Sequence, residues 1–108
     1  MAATKLIVIY PAPKDVDAFE RAYAGEHIPM AAPAFKAAGA TRAVLTNVAE
    51  GAGGKAPFHR IAEIHFPSSQ VLSACLASQA GRDVLAHARQ ISNGGPTVMT
   101  AEEEVVTF

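Results

Sequence analysis

Two stretches with helical periodicity are each enclosed by runs with strand periodicity, and that order restricts the folds open to this chain. KLIVIY, residues 5–10, is β-branched and apolar and bounded by Pro11 and Pro13, which predicts a buried strand. Residues 40–49, ATRAVLTNVA, and 58–66, FHRIAEIHF, alternate well enough to predict two more. Along the latter, Phe58, Arg60, Ala62, Ile64 and Phe66 face one way, and His59, Ile61, Glu63 and His65 the other. Between these two runs lies GAGGKAP, residues 51–57. It lacks the Lys-Ser/Thr ending of a phosphate loop and predicts a flexible hairpin connection. TVMTAEEEVVTF, residues 97–108, closes the chain as a fourth strand, with Glu102 to Glu104 near solvent, after an NGGP turn at 93–96.

The first helix opens at Lys14 to Asp17, capped by Asp15 or Asp17, and Asp17 with Glu20 has capping-box spacing. It runs to about Pro29, which lacks a backbone donor and predicts a kink or an end there. An Ala-rich segment, MAAPAFKAAG, follows and stops at Gly39, a C-cap candidate. Pro67-Ser68-Ser69 ends the third strand and caps another helix, whose stripe is Val71, Leu72, Cys75 and Leu76. Gly81 is expected to interrupt it before Val84, Leu85, Ala88 and Ile91 resume the stripe.

The resulting order, β-α-β-β-α-β, is the ferredoxin-like α+β unit in one domain, residues 1–108. Right-handed crossovers put both helical connections on one face of a four-stranded antiparallel sheet. The other face, rich in Ile, Val and Leu, then needs a second copy to cover it, so the topology predicts a homodimer. Half the residues are apolar, enough for a real core, and the net charge is −1 without a basic block. That composition argues against a nucleic-acid partner. No apolar run approaches the ~18 residues of a spanning helix, so no membrane partner is expected. The opening residues read as a strand rather than a signal peptide. One cysteine, Cys75, forms neither an internal disulfide nor a metal cluster, and it suits a reducing cytoplasm.

Chemistry concentrates in AFERAYAGEHIPM, residues 18–30. Phe19, Tyr23 and His27 are spaced i, i+4, i+8 and so share one helical face, with Val16 extending the row backwards. This stretch resembles the EthD family, named for a protein of ethyl tert-butyl ether degradation, within the dimeric α+β barrel superfamily. The resemblance also rests on KLIVIYP, PKDVDAFERAYAGEHIPMA, FHRIAEIHFPSSQVL and ASQAGRDVL, in that order over most of the chain. It implies a dimeric barrel and places the family motif's histidine at His27.

His27 is the first candidate for acid–base chemistry, since an imidazole titrates near neutral pH. The plainer reading is a cation at a helix C-terminus. Glu26 points about 100° away on the helix and is a poor partner, so a group from the sheet, His65 or a backbone carbonyl, is expected to hold the ring. Tyr23 is the second catalytic candidate, by way of its hydroxyl, set against simple core packing. Phe19 and Phe35 are read as apolar wall or core, Arg60 as a carboxylate binder or a cross-strand partner, and His65 as a polar group in an apolar cleft. His59, Glu63 and His65 share a strand face, but their even spacing does not make them converge, and no metal site is assigned. His87 departs from the acidic residue more usual in the EthD pattern and is read as a surface or variable position. Nothing resembles a serine-nucleophile elbow or a dinucleotide fingerprint, and no cofactor is assigned. The superfamily includes haem-degrading enzymes, which leaves haem open with His27 as axial ligand.

Three readings follow. The chain is a cofactor-independent enzyme acting on a small apolar, oxygenated or aromatic molecule, by monooxygenation, isomerisation or cyclisation. Or it is a component of a degradative oxidoreductase system beside a partner oxygenase such as a cytochrome P450, as the EthD name suggests. Or it is a non-catalytic dimeric binding module.

Overall fold

The computed structural model describes residues 3–108. Strand β1, Ala3–Pro11, sends Leu6, Val8 and Tyr10 into the core on alternate positions, as a period of two requires. Asp15 then caps α1, Val16–Ala22, by accepting from the Ala18 amide, 3.0 Å away. Of the two capping candidates it is Asp15 that caps; Glu20 is drawn off to the sheet.

The helix does not end at Pro29. It passes through a π-helical turn, Tyr23–His27, closed by the Ile28 amide on the Tyr23 carbonyl, and continues directly as α2, Ile28–Ala37. The physical cause lies in the same proline. Its ring would press on the Gly25 carbonyl of a regular α-turn and offers that carbonyl no donor. One extra residue in the turn relieves both problems, and π-turns of this kind often accompany functional sites. α2 closes in a Schellman motif: the Ala40 amide bonds the Phe35 carbonyl and the Gly39 amide bonds the Lys36 carbonyl. Gly39 takes a φ of 102°, which a residue with a Cβ rarely adopts.

β2 is Arg42–Asn47 and β3 is Phe58–Phe66. Ser68 caps α3, Ser69–Ala77, by accepting from Val71. The break after α3 falls at Ser78 rather than at Gly81. Ser78 is the N-cap of α4, Gln79–Ile91, and its hydroxyl spans the corner between Cys75 and Gly81. Gly81 lies inside α4 for a different reason. A Cβ there would sit far inside contact with the Cys75 carbonyl oxygen and 2.9 Å from its carbon, so the two helices approach this closely only without a side chain.

β4, Thr97–Glu103, completes an antiparallel sheet ordered β2-β3-β1-β4. All helices cover one face, and Leu6, Val8, Ala62, Ile64, Phe66, Leu72 and Val84 form the core beneath them. The other face carries Lys5, Ile7, Ile9, Ile61, Glu63 and His65 on the central strands, with Val44 and Met99 beside them on the edges. The β3 alternation holds from Arg60 onwards but breaks before it. Tyr10 pairs with Arg60 and Pro11 with Phe58, leaving His59 as the extra residue of a bulge. His59 is thereby turned toward α1, where its ring meets Phe19 edge-on at 5.4 Å. No helix among the described residues is long and apolar enough to cross a membrane.

Candidate functional site

The expected row of rings is present as a continuous stack. Phe19 and Tyr23 lie 5.5 Å apart at 15°, and Tyr23 and His27 5.9 Å apart at 16°. A fourth ring, His87 from α4, extends the stack at 5.2 Å and 7° from His27. Val16 does not join it; that side chain is 48% exposed.

Beneath the stack, between α2, α4 and the sheet, is a cavity of about 80 Å³. Tyr23, His27 and Phe35 line it from the long helical run, Tyr10 from β1, and Leu45 from the β2 edge. The rest of the wall is aliphatic, so Tyr10, Tyr23 and His27 supply its polar side chains. The cavity continues past Ala32, Phe35 and Ala43 into an open groove along β2 that Lys36 and Arg42 border.

Burial decides the chemistry of His27. The residue is 5% exposed. Desolvation pushes its pKa down to about 4, with repulsion from His87 adding to the effect. At neutral pH the ring is uncharged, with one nitrogen donating and the other accepting. Its Nε2 lies 3.3 Å from the Tyr10 hydroxyl and its Nδ1 2.9 Å from Nδ1 of His87. The ring is therefore held by β1 and α4, not by His65 or a carbonyl, and helix capping by a cationic imidazole does not describe it. Burial also raises the phenol pKa of Tyr10, and of Tyr23, where Arg60 acts in opposition; both are neutral donors. The Tyr23 hydroxyl is buried with no hydrogen-bond partner in the structure. An orphaned donor beside an apolar cavity marks a place where a ligand oxygen would be welcome.

The other sequence candidates fall in different places. Phe35 lines the cavity. Phe19 is buried at the far end of the stack, behind Tyr23, and does not line it. Arg60 grips Glu20 through two nitrogens and lies 5.2 Å over the Tyr23 ring, steadying it from outside the cavity. That fork, with His59 as a third contact, holds the Glu20 carboxyl below its usual pKa. His65 points to the opposite face of the sheet, 3.4 Å from Glu103, and does not reach the cavity. Glu63 on that face pairs with Lys5, and Glu103, expected near solvent, lies within 3.6 Å of the same lysine. The bulge parts His59 from Glu63 and His65, and no group of three His, Cys, Asp or Glu gathers as a metal set among the described residues. Haem does not fit the enclosed cavity: its volume of about 80 Å³ is a small fraction of a porphyrin's, and Nε2 of His27 is directed at the Tyr10 hydroxyl.

The periodicity held a signal for His87. It stands three residues after Val84 and four before Ile91, on the stripe that packs inward. Tyr10 had no comparable mark, being the last residue of an apolar strand.

A four-stranded antiparallel sheet in this order, with helices on one face, defines a ferredoxin-like α+β protein. The EthD-domain family model matches residues 12–91, and the chain belongs to the EthD family. A comparison with curated proteins finds no significant match. Among solved structures, an ethyl tert-butyl ether degradation (EthD) family protein from Bacillus halodurans C-125 superposes with a TM-score of 0.86 at 24% identity, over 94% of this chain and 99% of the other. An EthD-like protein from Ralstonia eutropha JMP134 gives 0.74 at 16% identity, over 94% and 92%. A dimeric ferredoxin-like protein from Jannaschia sp. CCS1 gives 0.70 at 12%, over 97% and 100%. At these identities the likeness establishes the fold.

Proposed function

We propose that this chain is a homodimeric member of a small-molecule catabolic route, binding a compact, mostly apolar molecule with one acidic or carbonyl oxygen and moving a proton on it through His27. The observation that carries this reading is a neutral imidazole and an unpartnered phenol lining an otherwise aliphatic cavity. Tyr23 donates to the ligand oxygen, and the imidazole takes the proton from the adjacent O–H or C–H. Abstraction of that kind begins isomerisation, cyclisation and cofactor-independent oxygenation of a phenol or enol alike. The uncovered sheet face supports the dimer: it exposes Val44 and Met99 around Ile7, Ile9 and Ile61, and related folds are described as dimeric.

The test is a panel of phenols, quinols and enolisable ketones, screened for binding and turnover with the intact protein and with His27→Ala. The variant should keep fold and dimer while losing affinity or turnover. Unchanged affinity would reject the role of His27. Tight retention of a panel member without turnover, abolished by the same variant, would favour the binding-module reading, with any chemistry left to a partner oxygenase.

A further inference from the structure

We infer that His87 is the positioning residue of this site and its proton outlet: it fixes which nitrogen of His27 is unprotonated, and it carries the cavity's proton to solvent. This rests on the reading of His27 as the proton acceptor. Two Nδ1 atoms 2.9 Å apart share a single proton, because the bond needs one donor and one acceptor. The surroundings settle which ring donates. Nε2 of His87 faces the Glu26 carboxylate at 3.9 Å, where an N–H is favoured over a lone pair. His87 therefore carries its proton on Nε2 and accepts at Nδ1. His27 in turn donates from Nδ1 and is left unprotonated at Nε2, where it accepts from the Tyr10 hydroxyl.

The groups facing the pair are few. Tyr10 from β1 and Tyr23 from its own helical run meet His27, and Glu26, 70% exposed at its side chain, meets His87. Proton movement along this line balances. A ligand proton binds Nε2 of His27, the Nδ1 proton passes to Nδ1 of His87, and the Nε2 proton of His87 leaves to water beside Glu26. Both rings end neutral with their tautomers exchanged, and a proton returning by the same route restores them. The depressed basicity of His27 agrees with this arrangement, since a ring that passes its proton on need never hold a positive charge in an apolar wall.

The test needs no ligand, so it stands apart from the binding screen. Two-bond proton–nitrogen correlation spectra of the full chain, labelled at its histidine rings, report tautomers directly. Wild type should show His27 protonated at Nδ1 and His87 at Nε2. His87→Gln keeps an acceptor and should preserve the His27 pattern, whereas His87→Phe keeps only the stack and should move the His27 proton to Nε2. Solvent exchange of the His27 Nδ1 proton then reads the outlet, because glutamine accepts but cannot relay. Exchange should slow by about tenfold or more in His87→Gln, with the amide exchange of Val84 and Ala88 unchanged. A His27 pattern that is the same in wild type and His87→Phe overturns the positioning role. Equal exchange rates in wild type and His87→Gln overturn the outlet.

Discussion

Acidification is the most direct probe of the buried neutral imidazole. The His27 pKa is about 4 in the folded chain and 6.5 for an unperturbed ring. The unfolded chain therefore takes up the proton first as pH falls. Between 6.5 and 4 it holds more protons than the folded chain, and stability declines toward acid. Above 6.5 the ring is neutral in both states and adds no slope. A full pKa unit corresponds to about 1.4 kcal/mol, so the loss between pH 7.5 and 4.5 sums to about 2.5 kcal/mol. Glu20 works in a separate window. Its carboxyl is held below the usual 4.5 by Arg60, so its contribution is present above that range and lost only as pH falls through it. Urea unfolding followed by circular dichroism, at fixed protomer concentration and half-unit pH steps, measures the effect in wild type and His27→Gln. Wild type should lose about 2.5 kcal/mol more than the variant across the window. Parallel curves would refute the buried-neutral assignment.

Three further perturbations separate the parts. Tyr23→Phe removes an unsatisfied buried hydroxyl and should stabilise the ligand-free protein by about 1 kcal/mol while weakening any ligand found in the screen; a loss of stability would mean that the hydroxyl has a partner. Gly81→Ala should cost about 3 kcal/mol, read as a drop in melting temperature, because the α3–α4 corner has no room for a methyl group; a neutral result would show that the corner relaxes. Ile9→Asp, placed between Ile61 and Thr97 on the open face, should convert the dimer to a folded monomer in sedimentation at micromolar concentration, and an unchanged dimer would put the interface elsewhere.

The sequence by itself determined the order of elements, that the helices share one face of the sheet, and the row of Phe19, Tyr23 and His27. These are consequences of periodicity, of proline and glycine punctuation and of crossover handedness, all of which act within one segment or between neighbours. Which residues of β1 lie under the helices was left to the register. Pro29 was legible as a disruption, but its outcome was not. Whether a helix breaks or absorbs one more residue depends on what packs against it, and here the stack of rings rewards continuation. The same limit applies to the site. His27 was visible from its place on the aromatic row, yet its partners were not, because Tyr10 and His87 lie 17 and 60 residues away in the chain and meet it only once β1 and α4 close around the cavity. His65 looked equivalent to other strand positions, and a period of two sends it to the far face. His59 shows the converse, since one bulged residue, set by pairing across β1, turns a ring that strict alternation had placed outside. Tertiary structure alone decided the charge of His27, since desolvation depends on every neighbouring side chain at once and no local spacing encodes it.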